Sequence, residues 1–183
     1  MNNSPIGVYD SGFGGLSVWR EIHRRLPEES LLYLGDGKNC PYGGRSREEI
    51  TAFAREAVER LISEGVKMVV VGCNTATTAA VDALRAEWPD IPIVGLEPAV
   101  KPACLSSRTR RIAVLATAHS LQSDMFLNTA RRYAADVEVI KVEGRGFVEL
   151  VEASEEDSPK AERLVREVVE PLLDKGIDRI VLG

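Results

Sequence analysis

Short runs of valine, isoleucine and leucine alternate along the chain with amphipathic stretches of helical period, and this alternation constrains the fold more than any other feature. A short apolar run followed by a helix is typical of a βα unit, in which helices cover parallel strands. The sequence therefore predicts an α/β fold with mostly parallel sheets flanked by helices. Strands are expected at 5–10, 30–35, 67–72, 91–95, 111–116, 137–142 and 178–182, and helices at 15–26, 47–64, 75–87, 119–134, 146–153 and 159–175.

The segment from 97 to 110 interrupts this pattern with two prolines and a polar run, which is typical of a boundary between compact units. We therefore expect a first α/β lobe over 1–97 and a second over 98–183. A weak internal repeat supports two similar lobes. Ile6-Gly-Val-Tyr-Asp10 resembles Ile112-Ala-Val-Leu-Ala-Thr117, and Val69-Val-Val-Gly72 resembles Ile180-Val-Leu-Gly183.

Composition excludes several classes of function. The 183 residues carry 23 Lys and Arg against 28 Asp and Glu, a net charge of −5, which argues against a nucleic-acid partner. No apolar run approaches the roughly 20 residues of a membrane-spanning helix, and the start lacks a signal peptide, so we expect a cytoplasmic protein with no membrane partner. Cys40, Cys73 and Cys104 are then expected as reduced thiols, and the Cys and His spacing predicts no metal site.

Polar residues follow three of the predicted strands at their carboxyl ends. They are Asp10 and Ser11 after the first strand, Cys73, Asn74 and Thr75 after the third, and Thr117 after the fifth. Ligands of open parallel sheets bind at this edge, where loops and helix N-termini meet. These residues therefore form the candidate site.

Cys73 is the strongest candidate for a base or nucleophile. It stands between a buried strand and the next predicted helix, where free backbone N–H groups and the helix dipole favour a thiolate. Asn74 and Thr75 add side-chain donors that would suit a carboxylate. The plain alternative is that Cys73 is a small buried residue and that its neighbours only cap the helix.

The glycine-rich sequence Asp10-Ser-Gly-Phe-Gly-Gly15 admits another interpretation. It partly matches the Gly-x-Gly-x-x-Gly fingerprint of dinucleotide-binding folds, with Asp36 as the ribose partner. The match is poor because Ser17 replaces the third glycine and because the Asp10 carboxylate would face a pyrophosphate. An aspartate at this position is better suited to bind a substrate ammonium group or to assist a nearby base.

Four motifs follow one another along the chain. They are Asp10-Ser-Gly-Phe-Gly-Gly15, Gly35-Asp36 with Cys40-Pro-Tyr-Gly43 and Arg45-Ser46, Cys73-Asn-Thr-Ala76, and Gly95-Leu-Glu-Pro98. Together they resemble the glutamate racemases of the cofactor-independent aspartate/glutamate racemase family, from residue 6 to the end of the chain. The resemblance implies two pseudo-symmetric α/β lobes with the active site between them, and a reaction without a cofactor.

The resemblance also implies roles for individual residues. Cys73 would be the first of two catalytic thiols, with Asp10 assisting it. The carboxylates and the ammonium group of the substrate would be held in the first lobe by Ser11, Pro41, Tyr42, Gly43, Asn74 and Thr75. In the second lobe, Thr117 would be a further substrate contact and Glu152 an acidic residue that supports the second half of the site.

The implied reaction is the racemisation of L-glutamate to D-glutamate for peptidoglycan synthesis. Moving the Cα proton from one face to the other requires two acid/base groups, which a thiolate and a thiol can supply. Glutamate would be the small-molecule partner, and the oligomer is open between a monomer and a homodimer. Two alternatives remain: a related racemase acting on aspartate or another amino acid, and a half-site protein that binds dicarboxylic amino acids without turnover.

The chain departs from the family pattern at its end. The second thiol of the family lies in a Gly-Cys-Thr-His motif, and Gly183 is the last residue here. We therefore expect that these residues belong to a longer racemase, that the second lobe is incomplete, and that residues 1–183 alone do not complete racemisation.

Overall fold

The structure, a computed structural model, describes residues 3–183 as a regular succession of strands and helices. The strands are β1 (Ile6–Asp10), β2 (Leu31–Gly35), β3 (Met68–Val71), β4 (Ile93–Gly95), β5 (Arg111–Ala116), β6 (Glu138–Glu143) and β7 (Arg179–Leu182). The helices are α1 (Leu16–Arg25), α2 (Arg47–Ser63), α3 (Asn74–Glu87), α4 (Val100–Ser106), α5 (Ala118–Gln122), α6 (Asp124–Tyr133), α7 (Phe147–Glu152) and α8 (Pro159–Leu173). The predicted α/β class is confirmed, and each predicted strand is present with its ends shifted by a residue or two.

The strands form two parallel sheets. One has the order β2-β1-β3-β4 and the other the order β6-β5-β7. The chain divides into two compact units in the same way, because the first unit ends at Leu96 and the second runs from Glu97 to Gly183. Each helix of the described residues 3–183 is too short or too polar to cross a membrane.

The first unit buries both faces of its sheet. Val8 of β1 faces α1 and packs with Trp19 and Ile22, whereas the position of Gly7 lies against Leu61 of α2. Helices α2 and α3 pack against each other on that second face. Because both faces are covered, the central strands read as continuous apolar runs. Their carboxyl ends are left as the polar edge of the unit.

The second unit has its core around β5. Ile112 and Val114 pack with Val100 and Cys104 of α4 and with Phe126 of α6. Residues 97–110 were not predicted to contain a helix, because their two prolines and polar residues suggested a boundary. Helix α4 forms there because Pro102 lies in its first turn, where a missing N–H costs nothing.

The single helix predicted over 119–134 is wrong, because α5 and α6 are separate. Ser123 has an extended backbone between them, and its side chain accepts a hydrogen bond from the Phe126 N–H at 3.2 Å. A serine that caps a new helix in this way competes with continuation of the preceding one.

The two sheets share one connectivity, with a central strand flanked by the next two strands of its unit. The Gly72 N–H donates to the Tyr9 carbonyl at 2.7 Å, and the Gly183 N–H donates to the Leu115 carbonyl at 2.9 Å. The Asp36 N–H likewise donates to the Asp10 carbonyl at 2.9 Å, and the Gly144 N–H to the Ala116 carbonyl at 3.0 Å. The matched positions are therefore Tyr9 with Leu115, Asp10 with Ala116, Ser11 with Thr117, Asp36 with Gly144, and Gly72 with Gly183.

Candidate active site

Strands β1 and β3 are adjacent and parallel, so their carboxyl ends bring two of the predicted clusters together. The Oγ atom of Ser11, just after β1, lies 3.4 Å from the Sγ atom of Cys73, just after β3. Asp10 is buried beside them as the last residue of β1. Because β1 and β3 are neighbours in the sheet, these side chains lie at one edge, as the sequence predicts.

Cys73 is the N-cap residue of α3. Its Sγ atom accepts a hydrogen bond from the Ala76 N–H at 3.3 Å, and only 7% of the residue is exposed. Burial raises the pKa of the Cys73 thiol, the negative charge of Asp10 raises it further, and hydrogen bonds from Ser11 and Ala76 oppose this. The direction of this pKa shift is opposite to the thiolate expected from the helix N-terminus, because burial and the Asp10 charge outweigh the hydrogen bonds at the cap.

Asp10 is held by the glycine-rich loop that follows β1. Its Oδ2 atom accepts the Gly12 N–H at 2.9 Å, and the Tyr33 hydroxyl donates to the Gly12 carbonyl at 2.6 Å. A Cβ atom at Gly15 would stand 2.6 Å from the Asp10 Cβ, closer than real side chains approach. The glycine therefore lets the loop return close to the carboxylate and fix its position.

The hydroxyl group of Tyr42, in the loop before α2, makes hydrogen bonds to two residues. The hydroxyl donates to the Asp36 Oδ2 atom at 2.6 Å and lies 2.7 Å from the Tyr9 hydroxyl. Asp36 also accepts from the Asn39 side-chain amide at 3.0 and 2.9 Å. The Tyr42 hydroxyl is therefore engaged within the protein, and a role of Tyr42 toward a substrate stays a prediction.

The amide side chain of Asn74 lies next to the thiol at the start of α3. Its Oδ1 atom is buried and has no hydrogen-bond partner within residues 3–183. A buried acceptor without a donor is costly, so this atom is suited to accept a hydrogen bond from a ligand. Thr75, the next residue, is also buried.

Thr77 connects α3 to the end of the first unit. Its N–H donates to the Cys73 carbonyl at 2.9 Å, and its Oγ1 atom accepts the Leu96 N–H at 3.2 Å. Sequence reasoning missed Thr77, and it missed the partnership of Tyr9 with Tyr42. A tyrosine inside a fully apolar strand was the available signal, since a buried phenol needs a hydrogen-bond partner.

Two predicted site residues lie in the second unit. Thr117 is the N-cap residue of α5, and its Oγ1 atom accepts the Ser120 N–H at 3.3 Å. Glu152 is the last residue of α7 and is partly exposed. Their roles toward a substrate stay predictions.

The cysteines of the chain are free thiols, as expected, with Cys40 half-buried and Cys73 and Cys104 buried. Over the part of the chain that the structure describes, no three His, Cys, Asp or Glu residues lie together so that they could hold a metal ion.

A buried thiol and a buried carboxylate thus lie at the carboxyl edge of a parallel sheet in an α/β protein. The family model of the Asp/Glu/Hydantoin racemases matches residues 6–183. The chain belongs to this racemase family, in agreement with the resemblance predicted from its motifs.

The relatives are glutamate racemases. The chain is 48% identical to that of Roseiflexus sp. over 98% of this chain and 66% of the relative, and 47% identical to that of Ectopseudomonas mendocina over 100% and 70%. The crystal structure of Escherichia coli glutamate racemase in complex with L-glutamate and the activator UDP-MurNAc-ala matches with a TM-score of 0.89 at 30% identity, covering 98% of this chain and 69% of that chain. The chain thus spans about two thirds of the length of these relatives.

Proposed function

We propose that this protein is a cofactor-independent glutamate racemase in which Cys73 exchanges the Cα proton on one face of the substrate. Its D-glutamate product would serve peptidoglycan synthesis. The proposal is carried by the buried Cys73 thiol beside Ser11 and Asp10, and it is supported by the glutamate racemases among the relatives.

The neighbours of Cys73 couple its protonation to substrate binding. The negative charge of Asp10 raises the pKa of Cys73 and so favours the protonated thiol. A substrate ammonium group beside Asp10 offsets that charge, so binding lowers the pKa of the thiol and favours the thiolate. The expected general base is therefore formed when a substrate is in place.

The thiolate then takes the Cα proton. The S–H bond forms as the Cα–H bond breaks, and the electron pair passes from Cα into the α-carboxylate. Side-chain and backbone donors at the start of α3 would stabilise the charge on that carboxylate. The buried Oδ1 atom of Asn74 would accept a hydrogen bond from the substrate ammonium, and the backbone of 41–43 would bind the distal carboxylate.

Racemisation needs a second acid on the opposite face of Cα. Gly183 has the same place in the second sheet that Gly72, the residue before Cys73, has in the first. In a chain that continues beyond Gly183, the next residue takes the position that matches Cys73. The second thiol that the family resemblance implies would lie there.

The test is Cys73→Ala in the complete gene product. We expect racemisation to fall by about 10³-fold, because one face of Cα loses its acid/base group. Cys104→Ala, which removes a buried thiol of the second unit, is the matched control and should keep the wild-type rate. Racemisation by Cys73→Ala at the wild-type rate would contradict the proposal.

A second test uses residues 1–183 alone with each glutamate enantiomer in deuterated water. Because these residues supply the Cys73 thiol for one face, we expect at most Cα exchange of one enantiomer and no net racemisation. Net racemisation by these residues would show that one thiol is sufficient and would contradict the two-thiol mechanism.

A further inference from the structure

Tyr9 is held at both of its ends. Its backbone carbonyl accepts the N–H of Gly72, the residue before Cys73, at 2.7 Å. Its hydroxyl lies 2.7 Å from the hydroxyl of Tyr42, in the loop whose backbone is expected to bind the distal carboxylate. Tyr9 therefore connects the residue before the thiol, at its backbone, to the side chain of Tyr42, at its hydroxyl.

The direction of the hydrogen bonds follows from the number of protons. A phenol has one proton, and Tyr42 donates its proton to the Asp36 carboxylate at 2.6 Å. Tyr9 must then donate to the Tyr42 oxygen, so the order is Tyr9 to Tyr42 to Asp36. Burial is the main cause that raises the pKa of both phenols, so both remain neutral donors.

The far end of this chain of hydrogen bonds is also fixed. The Asp36 N–H donates to the Asp10 carbonyl at 2.9 Å, and the Asp36 carboxylate binds the Asn39 amide as well as Tyr42. Tyr9 and Tyr42 are almost fully buried, at 0% and 2% exposed. The loop before α2 is thus attached to β1 through two buried phenols and the partly buried Asp36.

The second unit builds the same connectivity without these groups. Leu115 occupies the position of Tyr9, and Gly144 that of Asp36, with the backbone hydrogen bonds retained. A leucine therefore satisfies the packing of the central strand. The connectivity of the sheet therefore does not depend on the phenol hydroxyls of the first unit.

We propose that Tyr9, acting through Tyr42 and Asp36, is a positioning residue that sets the distance from Cys73 to the 41–43 backbone. It thereby selects the length of the dicarboxylic amino acid that the site accepts. This inference rests on the proposed racemase function and adds to it a determinant of substrate length.

The test is Tyr9→Phe in the complete gene product, which removes the hydroxyl and keeps the ring. We expect KM for L-glutamate to rise about 10-fold while kcat changes by less than about 3-fold, because a lost buried hydrogen bond loosens the loop without touching the thiol. The preference for glutamate over aspartate, as a ratio of kcat/KM values, should fall by a similar factor. Tyr133→Phe, which removes a phenol hydroxyl of the second unit, is the matched control and should change none of these values.

The variant Tyr42→Phe separates positioning from folding. It removes both hydrogen bonds of the Tyr42 hydroxyl and leaves the buried Tyr9 donor without its acceptor, so it should raise KM more than Tyr9→Phe does. The double variant should be less impaired than the product of the two single effects, because the groups act through one another. Melting temperatures of all variants, measured beside the kinetics, show whether a loss of fold contributes.

The outcomes distinguish this inference from the proposed function. If the wild-type protein is active and Tyr9→Phe keeps both its KM and its preference for glutamate, the positioning role is wrong. The proposed racemase function is then unaffected. An inactive wild-type protein contradicts the racemase, and the positioning role is then read from the Kd for D-glutamate by titration calorimetry. A Kd that Tyr9→Phe leaves unchanged overturns the inference in that case as well.

Discussion

The carboxyl ends of β1 and β5 occupy matched places in the two sheets, yet they carry different chemistry. The first unit has Asp10 at the end of its central strand and Asp36 after the neighbouring strand, where the second has Ala116 and Gly144. The backbone hydrogen bonds are the same in both. The difference shows that this framework provides the positions of a site, and that the acid/base capacity comes from the side chains placed at them.

The helix caps extend the comparison. Cys73 caps α3 through a 3.3 Å contact between its sulfur atom and the Ala76 N–H, and Thr117 caps α5 through a 3.3 Å contact between its hydroxyl oxygen and the Ser120 N–H. Both satisfy a free N–H group at a helix start. Of the two caps only Cys73 carries a titratable side chain, and the role of Thr117 toward a substrate stays a prediction.

Of the substitutions that test this difference between the two units, Asp10→Asn is expected to change activity most. It gives the first unit an uncharged strand end like that of the second. We expect kcat for racemisation to fall by about 10²-fold, because the residue that assists Cys73 is lost. The pKa of Cys73 should also fall, since the negative charge of Asp10 helps to raise it. Racemisation assays and the pH dependence of Cys73 alkylation by iodoacetamide check the two effects.

Ser11→Ala is the companion to Asp10→Asn. It removes a hydrogen bond that lowers the pKa of Cys73, so alkylation should shift to higher pH. If both variants moved the alkylation profile in the same direction, the assignment of these neighbours to the thiol would be wrong.

Gly15→Ala should have the next largest effect. Its Cβ atom would stand 2.6 Å from the Asp10 Cβ, so the loop or the carboxylate must move. We expect a loss of about 1–3 kcal/mol in the free energy of unfolding, measured with urea, together with lower activity. Gly37→Ala is the matched control, because a Cβ there meets nothing within 4 Å. Equal stability of the two variants would show that the loop does not press against Asp10.

The smallest effect is expected on stability, from a carboxylate of the second unit that hydrogen-bonds to the backbone and side chains around it. Asp178 accepts hydrogen bonds from the Ser107 hydroxyl and the Arg108 N–H, both at 2.7 Å, and these lower its pKa to about 2. Its stabilising contribution is therefore complete above the ordinary pKa of about 3.9 and is lost as the pH falls toward 2. Asp178→Asn should lower the melting temperature at pH 7 and have no effect near pH 2. Asp174→Asn, at an exposed helix end, should match the wild type at both pH values.

Local patterns predicted most of the architecture. The apolar runs predicted every strand. The signal is plainest in the central strands β1 and β5, which are buried almost throughout, and weaker in β6, which is partly exposed. Helix α4 was missed because its signal is weak. Its prolines, outside or in the first turn, do not prevent a helix, and its few apolar residues become decisive only when they meet β5. The break at Ser123 was missed because a serine can lie within a helix or cap the next one.

The candidate site was predicted in part for a related reason. Strand ends in sequence order identified Asp10, Ser11 and Cys73. The sign of the Cys73 pKa shift was wrong, because it depends on burial and on the approach of Asp10, which a cap position alone does not reveal. The hydrogen bond between Tyr9 and Tyr42 joins residues far apart in the chain. A tyrosine in an apolar strand indicates that a partner is needed, but no local pattern identifies that partner as Tyr42.

The last residue of the first unit is fastened to the helix that carries the thiol. The Leu96 N–H binds the Thr77 hydroxyl oxygen, and the Thr77 N–H binds the Cys73 carbonyl. Leu96 is also where the chain passes covalently into the second unit. Two hydrogen bonds through Thr77 therefore join the backbone at the end of the first unit to the backbone of the residue that carries the thiol.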